Sequence, residues 1–251
     1  MNLTEVLATD LATLSERDLA PVDVAVLDTG IDATHPDLKD RIGEAFEIVG
    51  EDGRYHASAR SLPENHDPFG HGTGVASVIT AIAPNARIVD VQIVGADDLE
   101  TGEALVAGLR LALLRRFRVV NLSLACHGRF LKPLTELCER AYWQDQIIVA
   151  ARRNMPLLEH GIPAQLSSCI GVDSDRLPSP FEFRFRAKHP IECIARGEEV
   201  TVAAPEGKYS VQTGTSFAAP AVTGICALLL GAYPDLSPYE LKSALKALAG
   251  V

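Results

Sequence analysis

The chain has 251 residues, 47% of them apolar and 22% charged, enough to bury one sizeable core and short for two full domains. Lys and Arg total 23 against 33 Asp and Glu, a net charge of −10, which argues against nucleic acid or an anionic membrane surface as a partner and favours neutral or basic ones. The apolar fraction is too high for disorder, and uninterrupted apolar stretches such as 225–230 are far too short for a bilayer, so a soluble globular protein is expected.

Residues 1–18 carry acidic residues and lack both a basic start and an apolar centre, so they do not read as a secretory signal, and a cytoplasmic location is expected. Apolar, β-branched runs follow at 22–27, 87–94, 118–124, 146–151, 168–172 and 200–203, mostly continuous, as in strands buried on both faces of a parallel sheet. Helical segments fall between and after them at 72–82, 103–116, 133–143, 217–233 and 238–248. Strand and helix alternating over most of the chain predict an α/β fold, a doubly wound, mostly parallel sheet sandwiched by helices. The polar stretch 52–67 reads as a surface loop, and the alternation in 181–186 as an extended edge ribbon with one apolar face. Ser237, Pro238 and Glu240 form the start signal of the last helix. Cys126, Cys138, Cys169, Cys193 and Cys226 are odd in number and each sits beside apolar residues, which predicts buried free thiols with neither a disulfide nor a zinc site.

Three stretches place a reactive side chain at the end of an apolar element beside glycine. Asp28 ends the run Val24-Ala25-Val26-Leu27 and precedes Thr29-Gly30, where the carboxyl end of a sheet strand lines a ligand crevice. An Asp-Thr-Gly also serves aspartic proteases, which need two, and no second one occurs. His71 lies in Gly70-His71-Gly72-Thr73-Gly74 at a helix start, with an ordinary pKa near 6.5 that suits a proton acceptor. Ser216 lies in Gly214-Thr215-Ser216 before a helix of small and apolar residues, where it is either a simple cap or a nucleophile aided by the helix dipole; Pro220 is expected in the first turn. A hydroxyl nucleophile needs a base, and the base needs a group that fixes its tautomer; the order Asp, His, Ser is one known solution.

With these three motifs in that order, the chain resembles the subtilase family of serine peptidases from about Asp23 to about Leu248. The resemblance implies a single catalytic domain over 1–251 without a propeptide, only 27 residues preceding Asp28. It implies a serine endopeptidase in which Asp28, His71 and Ser216 are catalytic and Asn154, after the strand 147–151, supplies the oxyanion hole together with the Ser216 N–H. It also implies that Ser123, Leu124 and Ala125 pair with an extended peptide substrate. Arg152 and Arg153 stand where the family has Ala-Gly, beside the specificity pocket, where they would narrow it, attract acidic side chains or displace Asn154. The stretch 154–163 reads as shortened, with Glu159 and His160 in reach of the pocket wall. No cofactor is expected: the helix after His71 runs straight into the next strand through Ala83-Pro84, without the loop that carries calcium in many relatives, and Asp37 alone is no cage for that ion. The partner expected is a peptide or protein substrate cleaved with narrow specificity, as in precursor processing, with a regulatory partner left open. Two alternatives stay open on these residues: a non-catalytic peptide-binding module, motivated by Arg152-Arg153, and a peptide ligase or cyclase using the same acyl-enzyme.

Overall fold

Continuous apolar strands dominate the centre of the chain because their residues must face helices on both sides. In the computed structural model, which describes residues 6, 8–93, 98–126, 128–154 and 161–249, these runs form the middle of a nine-stranded sheet. Its strands are β1 (Val22–Asp28), β2 (Ile42–Glu51), β3 (Arg54–Ala59), β4 (Ala86–Gln92), β5 (Val119–Leu122), β6 (Ile147–Ala151), β7 (Ile170–Asp175), β8 (Phe183–Phe185) and β9 (Cys193–Arg196). Their order is β3-β2-β4-β1-β5-β6-β7-β9-β8, parallel except for the two edge strands β3 and β8. Five helices of eleven residues or more flank it: α2 (His71–Ile82), α3 (Asp98–Arg115), α4 (Leu131–Trp143), α5 (Thr215–Ala232) and α6 (Pro238–Leu248), preceded by the short α1 (Leu11–Ser15).

Two cores lie on the two faces of this sheet. Val24 and Val26 of β1 pack with α1, α2, α5 and α6 on one face, and Ala25 and Leu27 with α3 and α4 on the other. The fold is therefore the doubly wound α/β sandwich that the alternation of elements predicts. β4 and β5 flank β1, so the crevice beyond the carboxyl end of β1 opens where the winding changes direction.

Several expectations are corrected. The stretch 52–67 is not all loop: residues 54–59 form β3, paired with β2 across Asp52-Gly53, both at positive φ (50° and 71°) as a tight hairpin turn requires. The run at 200–203 is no part of the main sheet. As β10 (Val200–Ala204) it pairs only with β11 (Lys208–Gln212), in a ribbon laid over α2 and pinned where the Ala203 N–H donates to Ser77 Oγ at 3.0 Å. The alternating stretch 181–186 does contribute an edge, β8, with Phe183 buried against β9.

Pro220 lies beyond the first turn of α5 as its sixth residue. By length and composition α5 would also suffice to cross a membrane, which the apolar runs alone did not suggest, but 89% of it is buried inside the fold. All five cysteines are buried free thiols, and burial pushes the Cys226 thiol up to about 12, so it does not act as a thiolate.

Candidate active site

The end of β1 and the start of α2 approach more closely than side chains allow. A Cβ on Gly72 would lie 2.2 Å from the Gly30 carbonyl oxygen, and one on Gly30, at φ 103°, equally close to the His66 carbonyl oxygen. Gly30, two residues after Asp28, and Gly72, the residue after His71, are thus what lets these two side chains meet. His71 Nδ1 donates to Asp28 Oδ1 at 2.7 Å, and the same oxygen accepts the Thr29 N–H at 2.8 Å. Asp28 is buried and the His71 ring is one-third exposed, resting on Phe217. Burial works to lower the pKa of His71, but the hydrogen bond and charge of Asp28, with the charge of Asp67, outweigh it and hold the imidazole above its ordinary value.

Asp67 is a residue the sequence analysis passed over. Its Oδ1 accepts Thr29 Oγ1 and the N–H groups of Phe69 and Gly70, and its Oδ2 accepts the Thr73 N–H and hydroxyl. This buried carboxylate therefore satisfies the open N-terminus of α2 and binds it to the turn after Asp28. An acid three residues before a glycine at a helix start was the available signal.

Ser216 is the second residue of α5. Pro220 has no N–H to give to the Ser216 carbonyl, and Ser123 Oγ fills that place, donating at 2.8 Å. Ser216 Oγ in turn donates to the Ser123 carbonyl at 3.0 Å. Beneath them, Asn121 Nδ2 donates to Ser123 Oγ (3.0 Å) and Thr223 Oγ1 to Asn121 Oδ1 (2.8 Å), so a buried chain of polar groups holds the first turn of α5 against β5.

Asn154 faces the same crevice. Its Oδ1 accepts Thr215 Oγ1 at 3.0 Å and the Thr215 N–H at 3.4 Å, which ties the amide to the start of α5 through its oxygen. Arg152 does not displace it: the guanidinium turns away and pairs with Asp173 at 3.0 Å, which Arg186 also contacts at 3.2 Å. Ser123, Ala125, Arg152, Arg153, Asn154 and Ser216 line one cavity of about 440 Å³. Beyond Leu122 the segment with Ser123, Leu124 and Ala125 leaves the sheet and borders this cavity. Glu159 and His160 lie outside the described residues.

Asp28 and His71 thus meet beyond the carboxyl end of β1, while Ser123, Leu124, Ala125, Arg152, Arg153, Asn154 and Ser216 border one cavity beyond β5 and β6, and Phe217, next to Ser216, touches the His71 ring. Among solved structures, Sphericase superposes with a TM-score of 0.68 at 20% identity, over 97% of this chain and 87% of its own. A lanthipeptide protease gives 0.68 at 22% identity, over 90% and 79%. The fold is that of the subtilisin-like proteases. Residues 21–250 match the subtilase family, and the chain belongs to that family of serine peptidases. Subtilisin DY of Bacillus licheniformis is 31% identical over 246 residues, 92% of this chain and 84% of that protein. The major intracellular serine protease of Bacillus subtilis (strain 168) is 30% identical over 223 residues, 83% of this chain and 68% of the relative.

Proposed function

We propose that this serine peptidase is an endopeptidase whose nucleophile is Ser216. His71 takes the Ser216 proton as the hydroxyl turns from the Ser123 carbonyl toward Nε2, and returns it to the leaving amine. Asp28 holds the imidazole in the tautomer that leaves Nε2 as acceptor and stabilises the imidazolium. Asn154 Nδ2 and the Ser216 N–H hold the oxyanion. The observation that carries this reading is the 2.7 Å bond between His71 Nδ1 and the buried Asp28, with the His71 ring against Phe217, the residue after Ser216.

The substrate is an extended peptide that adds as a strand to the backbone at Ser123, Leu124 and Ala125, its side chain before the scissile bond entering the cavity edged by Arg152 and Arg153. Specificity is narrow, as for processing of a precursor peptide or a single partner protein. Two relatives at 30% and 29% identity that are called intracellular serine proteases support action in the cytoplasm. The reading includes no metal: α2 turns into β4 through a tight Ala83 to Ala86 turn, Asp37 is engaged by the Tyr209 hydroxyl at 2.7 Å, and among the described residues no group of three or more acidic, histidine or cysteine side chains is placed to hold an ion.

A fluorophosphonate probe tests the reading. The wild type should label, and Ser216→Ala and His71→Ala should not. A folded wild type that fails to label would overturn the proposal, and mass spectrometry of the products should find free termini in place of ligated or cyclised peptide.

A further inference from the structure

Behind Asp28 and His71 lies a second carboxylate–imidazole pair that the chemistry above does not use. His66 is 5% exposed and Asp90 1%, and His66 Nδ1 meets Asp90 Oδ2 at 3.2 Å. Burying such a pair is costlier than burying apolar side chains of the same volume. Here the cost is visible: His66 Nε2 and Asp90 Oδ1 have no hydrogen-bond partner among the described residues. Glu64 stands 3.7 Å from His66 Nε2, and Arg60 is the cation whose charge reaches Asp90.

The pair joins the two segments that deliver the catalytic side chains. Asp90 Oδ2 also accepts the Ile31 N–H at 3.2 Å, and the Ile31 carbonyl accepts the His66 N–H at 3.0 Å, so three residues close a ring. Ile31 follows Asp28 by three positions, and His66 precedes His71 by five. Two residues along β4, Gln92 Nε2 donates to the carbonyls of both Thr29 (2.9 Å) and His66 (3.0 Å). In the parallel register Asp90 stands beside Val26 and Gln92 beside Asp28, so β4 serves as the template on which both segments are laid.

We infer that His66 and Asp90 are a positioning pair that fixes the separation of Asp28 and His71 by locking the segment before His71 to the turn after Asp28. The inference rests on the reading of His71 as the base for Ser216.

The test compares His66→Leu, which deletes the donor to Asp90, with His66→Asn, whose Nδ2 takes the place of the imidazole Nδ1. His66→Leu should stay folded by circular dichroism yet lose about 10- to 100-fold in fluorophosphonate labelling rate and in kcat on a peptide substrate, because small misplacements of a catalytic group cost rates of that order, with KM within about 3-fold. The downfield proton resonance of His71 Nδ1–H should shift in that variant. His66→Asn should restore all three. A folded His66→Leu that labels at the wild-type rate overturns the inference, as does His66→Asn falling as far as His66→Leu. Should His66→Leu not fold, Asp90→Val, whose β-branched side chain suits a buried strand, carries the same expectation, and failure of both to fold would show a purely structural role. A wild type that does not label sinks the reading of Ser216, whereas a labelling wild type with an equally fast His66→Leu sinks only this inference.

Discussion

At the level of single residues, His71 carries two opposed pH dependences. Its pKa in the folded protein is raised, and a base must be neutral, so kcat/KM should climb with pH along a limb centred above the ordinary value of about 6.5. The stability contributed by its pairing with Asp28 runs the other way: it is complete below the unfolded value and is lost as pH rises through the folded one. Initial rates across pH check this, and a profile already flat at the ordinary histidine value would contradict it. Asp28→Asn should lower kcat by about 10⁴-fold and move the limb to lower pH, because the group that lifts the imidazole is gone. Asn154→Leu should lower kcat by about 10²–10³-fold with little change in KM, the range expected when one donor to an oxyanion is lost, as the proposed role of Asn154 requires.

Elements meet at the site through close backbone approaches, so their smallest residues matter most. Gly72→Ala would drive a Cβ into the Gly30 carbonyl, backbone against backbone, where nothing flexible can yield. It should destabilise the fold by about 1–3 kcal/mol as overpacking does, and abolish labelling of Ser216 because α2 must shift. A change at the far end of the chain separates stability from activity. Ser237 caps α6, its Oγ accepting the Glu240 N–H while Glu240 Oε2 accepts the Ser237 N–H at 2.9 Å. Ser237→Ala should cost about 1 kcal/mol, a fall of about 2–4 °C in melting temperature, and leave the labelling rate unchanged.

The whole molecule is a three-layer sandwich in which one crevice gathers side chains from distant parts of the chain. Asp28 and Ser216 are 188 positions apart by number, yet β1 and β5 are paired and Ser123, just past β5, touches Ser216. If the fold is held by its two apolar cores and needs no calcium, the melting temperature in EDTA should lie within about 1 °C of that in calcium, since an ion bound only by the native state would raise it. A marked fall in EDTA would reveal a bound metal.

The sequence by itself determined the sandwich, because continuous Val, Ile, Leu and Ala runs such as 22–27 and 147–151 can be buried only between two helical layers. It also marked Asp28, His71, Ser216 and Asn154, each at the boundary of an apolar element. It carried the Asp52-Gly53 hairpin signal too, but β2 and β3 mix charge and glycine and show no apolar run to read. What only the tertiary structure decided are the partnerships across chain distance: that Arg152 turns to Asp173, that Ser123 fills the bond Pro220 leaves open, and that Asp67, His66 and Asp90 bind the segments around the Asp28–His71 pair. Local patterns record which face of an element is apolar; which polar groups then satisfy one another depends on the register and spacing of strands far apart in sequence.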